Sequence, residues 1–170
     1  IILVGDKQKA KDVELSMILS LLNERHNDTT KYDSDRFIYY LNFPDLLSKN
    51  KVDVVKHYTE DFDDYVKYVS TEKDICDTID EVYDEYERRE NSENAISPMF
   101  LFINSAGNLF GLKGDDTSEV ESFLYSGSSS KKKSPLDKVK TLSKYGRKRN
   151  IYVITHFLET REIRQTLEVK

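Results

Sequence analysis

The sequence predicts an α/β fold, a mostly parallel sheet flanked by helices, from three observations. Short, nearly continuous apolar runs at residues 1–5, 36–43, 99–103 and 151–154 read as strands buried on both faces. Stretches with helical spacing of apolar residues stand between them, and such alternation is the signature of a parallel sheet covered by helices. The length of 170 residues suits one three-layer domain, spanning 1–170.

Each element has its own local reason. Residues 1–5 form the first strand, expected to be a central one buried on both faces. A helix follows, on which Val13, Leu15, Met17, Ile18, Leu21 and Leu22 recur at helical spacing. Residues 36–43 (RFIYYLNF) are rich in aromatic and β-branched side chains and are stopped by Pro44. Residues 52–58 suit a short edge strand or an extended segment. Phe62, Tyr65, Val66 and Val69 form a helical stripe. Thr71 with Asp74 three residues on resembles a capping box, opening a helix that turns Ile75, Ile79, Val82, Tyr83 and Tyr86 to one side. Met99 to Ile103 is the most hydrophobic run and a buried strand. Residues 126–135 (SGSSSKKKSP) read as a flexible Ser/Lys linker. An amphipathic helix at 136–145 ends at Gly146, in the position of a C′ glycine. Residues 151–154 form the last strand.

Bulk properties narrow the function classes. Charged residues make up 34% of the chain, and no apolar run reaches the ~18–20 residues of a membrane span. The single cysteine, Cys76, cannot form an internal disulfide, which points to a reducing compartment. The net charge of -5 is unevenly spread, with acids concentrated at 60–90 and bases at 131–149. An acidic chain without interleaved exposed aromatics argues against a dedicated DNA-binding module. The chain opens on an apolar strand and is read as a segment of a longer tandem-domain protein.

The first strand runs into a damaged phosphate-binding loop. Gly5 and Lys11 keep the spacing of Gly-x-x-x-x-Gly-Lys-Ser/Thr, but Ala10 replaces the inner glycine and Asp12 replaces the Mg²⁺-binding hydroxyl. In a working loop, backbone N–H groups wrap the phosphates and the lysine meets the β/γ oxygens. A carboxylate ~5 Å from that charge, at an effective dielectric near 20, repels it by roughly 3 kcal/mol. Triphosphate binding then weakens by about two decades. ATP and Mg²⁺ are therefore possible but weakened ligands. Asp12 could instead fold back toward the positive end of its helix and stand in for phosphate.

A second motif fails in the same direction. The apolar run at 100–103 is followed by Asn104 and Ser105, where a Walker B strand carries an acid that organises Mg²⁺ and the attacking water. At the end of the last strand stand His156 and Phe157, in the place of a polar sensor; a lone histidine at a strand end is more often structural. His26, His57 and Cys76 have no ligand spacing around them, so no metal site is suggested.

Taken in order, these pieces resemble the FtsK/SpoIIIE class of P-loop motors, with a RecA-like fold. More narrowly, the chain is similar to one of the tandem ATPase domains of the type VII secretion ATPases (the EccC/EssC family). The resemblance covers most of the chain: residues 37–42, 53–58 and 74–89 follow the family's order of strand, extended segment and long helix ending in arginine. Residues 104–109 stand where the family has Asp-Gly-Trp-Gly-x-Leu or similar. Residues 142–154 match its helix, glycine and final strand, and Glu162, Ile163, Arg164 and Leu167 match a Glu-Ile-Arg-x-x-Leu segment. Its losses, at the inner glycine, the loop hydroxyl, the Walker B acid, the sensor glutamine and the end of the second strand, resemble those of the family's C-terminal domains, the third above all.

The resemblance implies a domain with little or no ATP hydrolysis that regulates and helps assemble a secretion motor. Implied partners are other ATPase domains of the same chain or of ring neighbours, and secreted substrate proteins or their C-terminal signals. Arg88, Arg89 and the cluster Arg147 to Arg149 are candidates for contacts across a subunit interface. The implied location is cytoplasmic, with membrane attachment only through other parts of the protein. The alternative is an active FtsK/HerA-like DNA translocase in which Asp12 binds metal and a neighbour supplies the missing acid.

Overall fold

The computed structural model describes residues 1–32, 36–43, 53–91, 97–112 and 133–167. Pro44 and most of the 126–135 linker lie outside these residues. The elements are β1 (Ile2–Val4), α1 (Lys7–Asn27), β2 (Ile38–Asn42), α2 (Val54–Thr59), β3 (Val66–Val69), α3 (Glu72–Arg88), β4 (Met99–Asn104), α4 (Pro135–Tyr145), β5 (Ile151–Phe157) and α5 (Thr160–Leu167). The strands form one five-stranded sheet in the order β1-β5-β4-β2-β3. Every pairing is parallel. The arrangement is consistent with a RecA-like α/β fold.

Because side chains alternate along a strand, each strand feeds two cores. Phe37, Ile38, Tyr40, Phe102 and Ile154 pack with Ile18 and Leu22 of α1 and Val55 of α2. On the opposite face Leu41, Leu101, Ile103 and Ile151 pack with Ile75, Ile79 and Val82 of α3 and Val139 and Leu142 of α4. α5 closes this second layer through Ile163 and Leu167. The run at 99–103 is a strand enclosed on both faces for this reason, whereas Tyr152 and Val153 of the run at 151–154 are half-buried. The run at 1–5, expected as a central strand buried on both faces, is instead an edge strand with Ile2 and Val4 exposed, because β5 pairs with it on one side alone among the described residues.

Caps set the helix starts. The Thr71 hydroxyl accepts from the Asp74 N–H, as the capping-box spacing predicts. Ser134 does the same for Asp137 at the head of α4, with Pro135 in the first turn, so these two residues, expected in the flexible linker, belong to the helix. The Asp53 carboxylate accepts from the Val55 and Lys56 N–H groups at 3.0 and 3.2 Å. That cap makes residues 54–59 a helix rather than the extended or edge segment expected from their composition.

Three further expectations change. The stripe Phe62, Tyr65, Val66 and Val69 is not helical: Glu60–Phe62 is a 3-10 turn and Val66–Val69 is a strand at the sheet edge beside β2. Its spacing fits a helix by coincidence, and four residues are too few to display a period of two. On α1 the buried residues are Ala10, Lys11, Glu14, Ile18 and Leu22, whereas Val13 is exposed. Two charged residues on the inner face hid it from a reading based on apolar periodicity. Gly146 has φ −55°, so it is not the left-handed cap. A Cβ at Gly146 would lie 2.9 Å from the Ile151 carbonyl oxygen, and this close approach of backbone is what requires glycine. Gly146→Ala should therefore cost about 1–3 kcal/mol by overpacking, measurable by urea denaturation.

Arginines expected at a subunit interface are largely engaged within the chain. Arg89 is buried and donates to Glu85 and to the carbonyls of Arg149 and Asn150. Arg149 donates to the Tyr86 carbonyl and to Glu90, with its guanidinium 3.9 Å from the Tyr86 ring centre. Together they tie the end of α3 to the turn before β5. Arg88, which is exposed, bonds Glu85.

Candidate functional site

In open parallel sheets, ligands bind outside the carboxyl ends of the strands, and the residues singled out in the sequence meet there. Gly5 follows β1, Asn104 ends β4, Ser105 follows it, and His156 and Phe157 end β5. Gly5 has φ +129°, a conformation that side-chain-bearing residues rarely adopt. Its N–H bonds the Phe157 carbonyl at 3.0 Å.

The loop after β1 is much shorter than a phosphate cradle. α1 begins at Lys7, with Asp6 as its N-cap accepting from the Lys9 N–H at 3.0 Å. Residues 7–12, which would have to wrap phosphate, are already helical. Asp6, not Asp12, is the carboxylate at the positive end of the helix dipole. Asp12 is exposed well inside α1, and its carbonyl accepts from Ser16. The expectation that it folds back as a phosphate mimic is not met, because each helical residue turns about 100° from the last. Lys11 faces inward and its neighbour Asp12 faces out.

A carboxylate does reach Lys11, and it comes from another element. The Lys11 ammonium is ion-paired to Asp53, with both side chains nearly enclosed. Asp53 is held on its other side by the α2 N–H groups and by the Tyr68 hydroxyl, to which Asn42 in turn is hydrogen-bonded. Burial beside Asp53 raises the Tyr68 phenol above its ordinary range, so it stays a donor. Lys7 is also turned inward, donating to the Phe43 carbonyl at 2.7 Å.

Deeper in the site lies Glu14, fully buried. Its Oε2 accepts from the Tyr40 hydroxyl at 2.6 Å and from Asn104 Nδ2 at 3.0 Å, and Oε1 has no hydrogen-bond partner among the described residues. Burial pushes the Glu14 carboxyl above its usual range, opposed by the bonds from Tyr40 and Asn104 and by the nearby Lys11 charge. The sign of the resulting pH dependence follows. Below the unfolded-state value of about 4.3 both states hold the proton. As pH rises through the interval up to the raised folded value, the unfolded chain releases its proton more readily and stability falls. Glu14→Gln should therefore be more stable than the parent at pH 7 by an increment that vanishes at acid pH. Urea midpoints measured across pH 4 to 8 check this, and a constant difference between the two proteins would contradict it.

Asn104 is thus a structural amide. Its Oδ1 accepts from the Ser105 hydroxyl at 3.3 Å, while its Nδ2 is committed to Glu14. Ser105 has φ 60°, an uncommon left-handed conformation for a non-glycine residue. The Ser105 N–H donates to His156 Nδ1 at 3.3 Å. The proton of the neutral ring then sits on Nε2 and is donated to the Gly5 carbonyl 2.9 Å away. Both nitrogens of this fully buried imidazole are engaged, so His156 binds β1 to β4 across β5. Phe157, likewise fully buried, packs in the core on the α3–α4 side.

The residues present do not fit a nucleoside triphosphate with Mg²⁺. The lysine expected to meet phosphate is ion-paired internally, the acid expected on β4 is an amide bonded to Glu14, and the backbone of the loop is helical. Among the described residues, no His/Cys/Asp/Glu cluster capable of holding a metal is found. Glu14, Tyr40 and Asp53 escaped sequence reasoning: no motif marks a charged residue on the inner face of a helix. Asp53 alone carried a legible signal, as an Asp placed to cap the segment after it. Comparison with protein-family models, curated proteins and solved structures found no match.

Proposed function

We propose that this chain is a P-loop-derived domain that no longer turns over nucleotide and works as a regulatory and interaction module. The observation that carries the reading is the Lys11–Asp53 ion pair, in which an internal carboxylate occupies the cation that a phosphate would otherwise meet. The loss of an acid at Asn104 and the engagement of both His156 nitrogens support it, since neither residue is left to serve as a general base.

On the resemblance to the FtsK/SpoIIIE class, the setting is a type VII secretion motor. The partners there are neighbouring ATPase domains and secreted proteins or their C-terminal signals. Among the described residues no helix is long and apolar enough to cross a membrane. A cytoplasmic location within a membrane-anchored assembly is part of the proposal, with the anchor supplied by other parts of the protein.

The purified chain should release no phosphate from Mg·ATP above the buffer rate, with or without double-stranded DNA. Turnover near the enzyme median of ~10 s⁻¹ would overturn the proposal. DNA-stimulated turnover that disappears in Lys11→Ala would establish a translocase instead.

A further inference from the structure

The first strand lies at an edge of the sheet with apolar surface on both sides. Among the described residues β1 pairs with β5 alone. Ile2 and Val4 are 43% and 48% exposed, and Val13 of α1 beside them is 46% exposed. The bonds from Thr155 N–H to the Ile1 carbonyl and from Gly5 N–H to the Phe157 carbonyl set the phase of the ladder. In that phase the N–H and C=O groups of Ile2 and Val4 point away from β5, toward the open edge.

Two grooves open at the Ile1 end of this edge and meet at Ile1. One, of about 890 Å³, has a floor that includes Val13, Met17, Leu21, Tyr152 and Ile154, and it continues past the start of β5 to Arg147. The other, of about 560 Å³, lies on the opposite face between Ile2, Val153 and Thr155 of the sheet and Lys140, Lys144 and Leu167 of the helices. Cations outnumber the one carboxylate, Asp12, among the described residues that line them.

We propose that this edge is a docking slot for an extended segment of another polypeptide, added to the sheet beside β1. The segment would carry apolar side chains alternating into the two grooves and acidic residues at its ends. A strand is the one occupant that satisfies the outward backbone groups of Ile2 and Val4 while filling grooves on both faces, as in β-augmentation. A helix or a lipid would cover the apolar surface and leave those groups unpaired. A second copy of this chain would bring the same cations to the same edge, whereas an acidic-ended strand meets Lys140, Lys144 and Arg147 with complementary charge.

The test uses the whole chain and a blocked peptide of about ten residues, a usual strand length, with alternating Val and Thr and Glu at both ends. Control peptides carry Lys at the ends, or N-methyl groups at alternate residues. Binding of the Glu-ended peptide should slow amide exchange at Ile2 and Val4. The Lys-ended peptide should bind at least about tenfold more weakly, and the N-methylated one should not bind. Val4→Pro removes an outward N–H without touching the β5 ladder and should abolish binding. Val4→Lys, at the same half-exposed position, replaces it where circular dichroism shows the proline variant disturbed. No binding at millimolar peptide, equal affinity for both end charges, binding without protection of Ile2 and Val4, or binding unchanged in the variants would overturn the proposal. So would a dimer in sedimentation whose formation protects the same amides.

Discussion

Asp53→Ala is expected to destabilise the domain by about 3–5 kcal/mol, because it strands the Lys11 ammonium in a nearly enclosed site without its counter-charge. Loss of the α2 N-cap contributes about 0.5–2 kcal/mol of that. The converse change should be milder. In Lys11→Met, Asp53 keeps the Val55 and Lys56 N–H groups and the Tyr68 hydroxyl, so its charge remains solvated by donors. The double variant Lys11→Met with Asp53→Asn should recover most of the loss, since it removes both charges and keeps the cap. Urea denaturation of the parent, Lys11→Met, Asp53→Asn and the double variant closes the cycle, with Asp53→Ala measured beside them. Equal effects of the two single changes, or a loss below about 1 kcal/mol for Asp53→Ala, would show that the pair is the ordinary weak pair of a protein surface.

The second large effect falls on His156. His156→Phe keeps the volume and burial but leaves the Ser105 N–H and the Gly5 carbonyl without partners. Each orphaned group costs up to about 1–3 kcal/mol, so the total should be about 2–6 kcal/mol, the part-buried Gly5 carbonyl contributing the smaller share. The loss should appear as a lower urea midpoint that is independent of ATP, DNA or Mg²⁺. A histidine with a chemical role predicts the opposite pattern, with stability held and activity changed. Ser105 sharpens the point, because its left-handed backbone is maintained by a neighbourhood that includes this bond. Loosening it should increase amide exchange at Ser105 before it does so at Phe102.

The sheet was legible from its own residues wherever a strand lies inside the sheet, because continuous apolar runs at 99–103 and 151–154 have few other uses. β3 was not: Lys67 interrupts it, and its apolar positions mimic a helical stripe. α3 was legible from cap and periodicity together, since Thr71 stands three residues before Asp74; α4 was legible from periodicity, while its cap Ser134 was hidden in the Ser/Lys-rich composition of the linker. The inner face of α1 was misread because burial of Lys11 and Glu14 is made possible by partners on other elements, Asp53, Tyr40 and Asn104. Local spacing carries no record of such partners. The same holds for the site. Gly5, Asn104 and His156 were found from their places at strand ends, but the group that meets Lys11 lies 42 positions away in sequence. Asp12 drew attention through the motif, and the early start of α1 turned it outward.

If the Asp53 carboxylate stands at Lys11 where a phosphate would otherwise sit, nucleotide has no cation left to meet. Thermal unfolding of the unaltered chain in increasing Mg·ATP tests it most directly, since any ligand that binds the folded state raises the midpoint by an amount that follows RT ln(1 + [L]/Kd). The midpoint should not move with Mg·ATP at concentrations where a working P-loop domain would respond. A midpoint that climbs with the logarithm of Mg·ATP concentration, and that stops climbing in Lys11→Met, would contradict it.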